Sequence, residues 1–237
     1  MKKIIALILA LCCVFAIVSC DGGEEQTSGV AEFERLYSAS EPTKVVTNQT
    51  TAIGNVFLKG SSILVTGALN NGDVATVYTE SYETLQSVQS GAGDVITPIM
   101  GEPITSSREY VEGKGVRYDG GAWDETGLNF APKAGSIAIN LDETKLKDCI
   151  YNDSGDVKTL TFTVEAKNAS SVFGEWASEI TSDVSVIITA NVAVVTGITV
   201  SYTEDIVSDD EDIEYPAANI TISTVYTYDV EEITLVK

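Results

Sequence analysis

The sequence predicts a mainly β protein of the α+β class, in which a few helices cover a strongly curved antiparallel sheet or unclosed β-barrel. Apolar and polar residues alternate with a period of two along Thr-rich stretches, most clearly over residues 159–166 and 220–229. That alternation is typical of a strand with one buried face. Turn signals containing Gly and Asn separate such stretches. Because only a few segments have helical spacing, the long one-sided sheet must curl around them or close on another sheet.

The N-terminal segment has the layout of a secretory leader. Both positive charges of the leader lie in its first three residues, and the uncharged apolar run of residues 4–18 follows directly. As a helix this run spans roughly 22 Å, which is less than the ~30 Å hydrocarbon core of a bilayer. The run therefore favours a cleaved signal over a membrane-spanning helix.

The end of the leader resembles the lipobox of bacterial lipoproteins. The motif has a branched apolar residue, small residues before the cleavage site and the obligatory cysteine, which correspond here to Ile17, Val18, Ser19 and Cys20. The resemblance implies a diacylglyceryl group on Cys20, cleavage before it, and an exported protein that this lipid anchors to a membrane on the extracytoplasmic side of the cell envelope. The alternative is an ordinary signal with an incidental cysteine.

The chain is accordingly divided into a signal peptide at 1–19, a lipidated polar tether at 20–30 and a single β-rich envelope domain at 31–237. At the start of this domain Phe33, Leu36 and Tyr37 have the spacing of one helical face, and Pro42 ends that helix.

Catalysis is disfavoured by the residues that are missing. The chain has no histidine, which excludes Ser-His-Asp and Cys-His chemistry and removes the commonest transition-metal ligand. Cys149 has no base to activate it and is interpreted as a small apolar side chain. A pair of carboxylates for glycoside hydrolysis cannot be chosen from 35 acidic residues by spacing alone. We therefore expect no enzyme, no catalytic residue and no cofactor.

Charge narrows the range of partners. The net charge is −21, whereas nucleic-acid binding needs Lys and Arg to neutralise phosphates, so no nucleic-acid partner is expected. The densest acidic cluster is 204–214. It admits a calcium site, but the spacing of an EF-hand loop is absent and blocks of like charge are usually solvated. We expect a solvated loop and no metal.

The strands are predicted from alternation and turn signals. The Asn-Gly pair in residues 70–73 predicts a hairpin, and Gly residues predict a turn at 112–115 between two further strands. Residues 81–88 fit a short helix or a strand end, and residues 89–107 fit a loop with at most one strand. Residues 142–151 fit a short helix with Asp142 as N-cap. Residues 170–180 fit a helical or irregular connection. The predicted strands are 44–60, 61–69, 74–82, 107–111, 115–118, 159–166, 183–192, 195–205 and 218–236, the last paired with 196–203.

The order of these elements, with "NNGDVATVYTE", "EYVEGKGVRYDGGAW" and a final "TISTVYTYDVEEITL", resembles the LolA/LolB and LppX type of envelope lipoprotein. The resemblance implies an unclosed, curved β-barrel with helices at its mouth and a hollow that carries acyl chains or lipidated proteins. The side chains expected to line that hollow are Phe162, Trp176, Tyr226 and Tyr228, each of which is also compatible with ordinary core packing.

Two functional hypotheses remain from the sequence. The first is a membrane-anchored, non-catalytic lipoprotein that binds or carries a lipid-like ligand, for which an apolar cavity is sufficient. The second is a surface β-sandwich that binds protein or carbohydrate through exposed loops and has no internal cavity.

Overall fold

The fold is mainly β, as predicted. The computed structural model describes residues 23–38, 41–90, 93–99, 101–127, 139–206, 216–229 and 232–235. Helix α1 (Gly23–Ser38) precedes the strands, and a short helix α2 (Ala169–Phe173) lies between two of them. The strands are β1 (Lys44–Ile53), β2 (Val56–Ala68), β3 (Val74–Ser90), β4 (Gly93–Pro98), β5 (Ile104–Val111), β6 (Gly115–Tyr118), β7 (Leu146–Asp153), β8 (Lys158–Val164), β9 (Val184–Ala190), β10 (Val195–Glu204) and β11 (Ala218–Thr227).

All eleven strands belong to one antiparallel sheet. Its order is β6-β5-β3-β2-β1-β11-β10-β9-β8-β7, and β4 pairs with the far end of β3. The sheet is not closed into a barrel. The predicted fold class is thereby confirmed, and so is the pairing of β11 with β10, where Gly197 lies opposite Val225 and Glu204 opposite Ala218. Because the described strands form one continuous sheet, the two-sheet sandwich does not describe this architecture.

The main core lies on one face of the sheet, which we call the inner face. Leu160, Phe162 and Val164 of β8 point to it and are at most 1% exposed, while the threonines between them face the opposite, outer face. The alternation predicted for this strand is confirmed. Helices α1 and α2 cover the inner face over the β7–β10 half of the sheet, where α1 contacts β7, β8 and β10. The buried apolar surface there is what holds the helices on the sheet.

Helix α1 is longer than predicted. Its spacing prediction is confirmed at Phe33 and Leu36, which are 0% and 1% exposed, but Val30 is also buried and the helix begins at Gly23. The segment predicted as a tether is therefore helical from Gly23 onward. Gly29 has low helix propensity and weakens the helical signal of this segment. Close packing requires a glycine there, because a Cβ would lie 2.7 Å from the Cβ of Tyr151.

A charged cluster fixes the same face of α1 to β7 and β8. The hydroxyl of Tyr151 donates to Glu32 at 2.7 Å, and Lys158 forms ion pairs with Glu32 and, at 3.2 Å, with Asp153. Burial and the hydrogen bond to Glu32 raise the pKa of Tyr151 to about 12. The hydrogen bonds from Lys158 and then Tyr151 hold the pKa of Glu32 below its ordinary value, so the folded protein favours the Glu32 carboxylate.

Glu32→Gln is expected to lower the free energy of unfolding at pH 7 by about 1 kcal/mol, because it weakens hydrogen bonds to a charged acceptor. A carboxylate whose pKa is depressed on folding contributes stability above its ordinary pKa of 4.5 and loses that contribution as pH falls through the folded value. Urea unfolding at pH 7 and in the acidic range below 4.5 checks this. The variant should lose less stability on acidification than the wild type, and equal losses would contradict the expectation.

Several elements differ from their sequence predictions. The first hairpin turns at Gly54, which has a φ of +56°, rather than near residue 60, and its Gly-Asn turn signal was missed. Residues 81–88 continue strand β3, so the strand-end alternative is confirmed and the helical one is wrong. The strand allowed within 89–107 is β4 at 93–98, and β5 also begins there, at Ile104. Residues 142–151 were expected to be helical, but only Glu143–Lys145 form a 3-10 turn, capped by Asp142 as predicted, before strand β7 begins. The hairpin at 70–73 is confirmed.

A second, smaller apolar cluster lies on the outer face at the β3–β5–β6 end. Ala75 and Val111 pair there across β3 and β5, and Ile233 and Trp123 pack over them. The same face carries an ion pair between Arg117 and Glu109, whose side chain is 0% exposed. The two ends of the sheet are therefore covered on opposite faces. Among the described residues, no helix covers the inner face of β3, β5 and β6 as α1 and α2 cover it over β7–β10.

Candidate ligand-binding surface on the inner face

The four residues predicted to line a hollow do not form one site. Phe162 and Tyr226 lie in the main core, 1% and 8% exposed. Tyr228 is half-buried at the margin of that core, and its hydroxyl donates to the carbonyl of Val195 at 2.5 Å. Trp176 is 44% exposed and packs on Phe173, with ring centroids 5.9 Å apart. The structure thus brings three of them to the core and places Trp176 on the surface.

The main core is packed rather than hollow around Phe162, because its neighbours on the inner face are themselves fully buried. A shallow depression of about 280 Å³ is present elsewhere, beside the outer-face cluster, and is open to solvent. It is lined by Leu69, Asn70, Asn71, Ile233, Thr234 and Leu235. A ligand contacting Phe162 would have to displace α1, whereas the inner face of β3, β5 and β6 needs no such opening.

One cross-strand row connects the buried and the open parts of the inner face. Directly opposed residues of paired strands share a face, and the registers align six side chains across six strands. The first two members are buried, 8% and 4% exposed, the next three are half-buried, and the last is 55% exposed. The row, which we call the inner row, consists of Tyr226, Val45, Leu64, Tyr78, Arg108 and Tyr118.

Two polar atoms in the inner row are enclosed and have no hydrogen-bond partner among the described residues: Nε of Arg108 and the hydroxyl of Tyr226. The Arg108 guanidinium lies over the ring of Tyr118, 5.2 Å from its centroid. Burial, followed by Tyr37 and Tyr228, raises the pKa of the Tyr226 hydroxyl, which therefore stays protonated. Enclosed donors normally have partners, so these two atoms mark where the inner face has unused hydrogen-bonding capacity.

Beside the inner row, Glu80 is held by three hydroxyl groups. Its Oε1 accepts from Ser106 at 2.8 Å, and its Oε2 accepts from Tyr78 at 3.0 Å and Tyr82 at 3.1 Å. The hydrogen bond from Ser106, with those from the two tyrosines and the charge of Arg108, lowers the pKa of Glu80. Burial raises the pKa of Tyr78, and the hydrogen bond to Glu80 raises that of Tyr82. At neutral pH the cluster therefore holds a carboxylate and two neutral phenols.

Apolar side chains extend from this cluster along the same face. Tyr82 lies opposite Ile104 on β5, and the two are 55% and 69% exposed. Leu58 on β2 has the same facing and is 43% exposed. We call this surface the open inner face. Its members are Leu58, Tyr78, Tyr82, Ile104, Arg108 and Tyr118.

Sequence reasoning placed these residues in strands but missed the surface that they form. A signal was present in "VYTESY", where Tyr78, Glu80 and Tyr82 recur with the period of one strand face. Their pairing with Arg108 and Ile104 depends on register across β3 and β5, which the alternation does not specify.

The structure also bears on the residues considered for catalysis and metal binding. Cys149 is half-buried, and burial, followed by the charges of Glu143 and Asp148, raises the pKa of its thiol. Within the described ranges no group of His, Cys, Asp and Glu side chains has a metal-binding arrangement. Cys20 and most of the acidic cluster, residues 207–214, lie outside the described residues. No helix of the described chain is long and apolar enough to cross a membrane.

Comparisons with known proteins identify no family. No family model and no curated protein sequence matches the chain. Among solved structures, a DUF1329 family protein from Desulfovibrio piger is 10% identical with a TM-score of 0.24, covering 90% of this chain and 96% of that one. A porin-like protein from Bacteroides uniformis is 9% identical with a TM-score of 0.20, covering 81% and 98% respectively. TM-scores this low do not establish a common fold, and nothing is transferred from either protein to this chain.

Proposed function

We propose that this protein is a non-catalytic lipoprotein, anchored to a membrane of the cell envelope through Cys20, which binds a lipid-like ligand on the open inner face. The observation that carries the proposal is the uneven cover of the inner face. Helices α1 and α2 cover it over β7–β10, whereas Tyr82, Ile104 and Tyr118 on β3, β5 and β6 are each at least 55% exposed.

The hydrophobic effect gives such a surface affinity for hydrocarbon. Removing apolar surface from water yields about 25 cal/mol per Å², so an acyl chain lying on exposed Tyr and Ile side chains is stabilised without any catalytic group. Contiguous exposed apolar surface on a soluble domain is typical of an interaction site. The lipid-like ligand is preferred to protein or carbohydrate because the exposed side chains in question carry mainly apolar surface.

The anchor would bring one end of the protein to a membrane that contains such ligands. Only Asp21 and Gly22 separate Cys20 from helix α1. The three peptide units from Cys20 to Gly23 span at most about 11 Å, so a lipid on Cys20 holds the N-terminal end of α1 close to the bilayer.

Cys20→Ala is expected to abolish incorporation of a clickable fatty acid and to release the protein from membranes, because the anchor rests on that thiol rather than on a basic patch. In-gel fluorescence and fractionation of cells measure both effects. Cys149→Ala is the matched control and should leave labelling unchanged. Undiminished labelling of Cys20→Ala would refute the anchor.

The ligand test uses the mature chain from residue 20 with Cys20→Ser, which contains every described residue. Native mass spectrometry of detergent-free protein is expected to reveal copurified lipid, and a fluorescent fatty acid is expected to bind. Ile104→Ser should weaken that binding because it removes the most exposed apolar side chain of the open inner face. Ile63→Ser, an exposed isoleucine on the outer face, is the matched control. A clean apo mass together with no uptake of the probe would overturn the proposal.

A further inference from the structure

We propose that Arg108 binds the anionic head group, a carboxylate or a phosphate, of an acyl ligand whose chain lies on Tyr82, Ile104 and Leu58. This inference rests on the proposed function, since it names the class of lipid-like ligand that the open inner face selects.

The first support is the state of the guanidinium. Within the described part of the chain Arg108 has no recorded ion pair, and its Nε is enclosed without an acceptor. Arginine presents a rigid, planar set of donors that matches carboxylate and phosphate oxygens in bidentate geometry. An enclosed donor that lacks an acceptor is destabilising. Because Nε itself is enclosed, an anionic oxygen arriving from solvent would bind the guanidinium through the part of the side chain that remains exposed.

The second support comes from the contrast with Arg117, which occupies a comparable place on the outer face. Both guanidinium groups stack on an aromatic ring, Arg108 on Tyr118 and Arg117 on Trp123 at 4.7 Å. Arg117 also has a carboxylate partner, the fully buried Glu109. Arg108 is thus positioned by the same kind of stacking contact, but no carboxylate of the described residues forms an ion pair with it. The charge of Glu80 interacts with Arg108 without such a contact.

The carboxylate of Glu80, whose charge interacts with that of Arg108, already accepts hydrogen bonds from hydroxyl groups. Both oxygens of Glu80 accept hydrogen bonds from Ser106, Tyr78 and Tyr82, and no hydrogen bond joins Arg108 to Glu80 among the described residues. These hydroxyl groups orient Glu80 and offset part of its charge. An anionic ligand would therefore meet an Arg108 guanidinium that is not hydrogen-bonded to this carboxylate.

The position of Arg108 also fits an amphiphile. Along β5, Ile104 lies four residues from Arg108 and on the same face, which at the strand rise corresponds to about 13 Å. Tyr82 and Leu58 continue the apolar surface across β3 and β2. A head group on Arg108 therefore leaves the chain of the same molecule on exposed apolar side chains.

The test measures binding of three probes that share the unsaturated hydrocarbon chain of oleic acid: oleate, oleoyl lysophosphatidate and uncharged oleyl alcohol, kept below their aggregation concentrations. The mature chain with Cys20→Ser is expected to bind at least one anionic probe about tenfold or more tightly than oleyl alcohol. In Arg108→Gln that preference should disappear while affinity for oleyl alcohol is unchanged. Comparison of oleate with lysophosphatidate identifies a carboxylate or a phosphate as the preferred head group.

Two further variants keep the test decisive. Arg108→Lys retains the charge without the planar donor set and should keep part of the preference, with unchanged circular dichroism reporting an intact fold. Lys59→Gln removes one positive charge from the outer face of β2 and should change nothing. Equal binding of charged and uncharged probes by the wild type, or an unchanged preference in Arg108→Gln, would overturn the role of Arg108 while leaving the lipid-binding function standing. Failure of every probe to bind would instead overturn the proposed function.

Discussion

Phe33→Ala is expected to lower the free energy of unfolding by about 3–5 kcal/mol, the usual cost of removing a buried phenylalanine ring. Phe33 is 0% exposed and occupies the centre of the face by which α1 packs on the sheet. Its ring meets that of Tyr151 edge to face, with centroids 6.3 Å apart and planes at 79°, an arrangement that adds to simple burial. Chemical denaturation followed by circular dichroism measures the loss.

The same variant tests whether α1 is the cover of the main core. Because the helix lies over β7, β8 and β10, loosening it should expose the apolar inner face there and increase the binding of a hydrophobic dye. Arg35→Ala, an exposed position on the same helix, is the control and should change stability by no more than about 0.5 kcal/mol. A cost of less than about 1 kcal/mol for Phe33→Ala would show that the docked helix contributes little to stability.

The parts of the fold that the sequence predicted are those where burial imposes a simple period. In β8 and β11 one face is enclosed and the other is more accessible to water. Leu160 and Phe162 therefore alternate with half-buried threonines, and Ile220 is flanked by exposed residues. Where both faces of a strand are buried, apolar residues no longer alternate with polar ones, and the period of two is lost. Strand β3, for example, is partly buried along most of its length and was only partly predicted.

Strand β7 illustrates how an irregularity misleads the period. Leu146 and Ile150 are four residues apart, which predicted a helix, yet the register shifts between Lys147 and Ile150. Asp148 in this bulge has a φ of +51°. The extra residue turns Ile150 to the outer face, where it is 64% exposed, and turns Tyr151 to the inner face beside α1. A bulge of this kind depends on tertiary packing and leaves no period in the sequence.

The candidate site was beyond sequence reasoning for a related reason. Aromatic residues in strongly alternating strands mark a core, so Phe162 and Tyr226 were selected and proved to be buried. The open inner face instead combines side chains from β2, β3, β5 and β6, and the registers that join them arise from pairing between distant segments. Arg108 can be recognised as a candidate binding residue only when its neighbours are known, because the sequence of a strand does not show which residue an arginine contacts.

Arg117→Met is the second variant for which we expect a large loss, about 3–5 kcal/mol, the range for breaking a buried ion pair by removing one partner. The side chains of Arg117 and Glu109 are 13% and 0% exposed, and Trp123 stacks on the guanidinium. Methionine retains much of the apolar bulk of Arg117 but leaves the Glu109 carboxylate enclosed without its guanidinium partner. Unfolding in denaturant at neutral pH measures the loss.

A double-mutant cycle separates the charge from the packing. The pair Glu109→Gln with Arg117→Met removes both charges and should recover much of the stability lost in Arg117→Met, because the desolvated carboxylate is then gone. Arg108→Met is the matched control on the opposite face. Since Arg108 has no recorded carboxylate partner in the described chain, its loss should cost about 1 kcal/mol or less. Equal losses of unfolding free energy in Arg117→Met and Arg108→Met would contradict the view that Arg117 stabilises the fold through its ion pair whereas Arg108 binds a ligand.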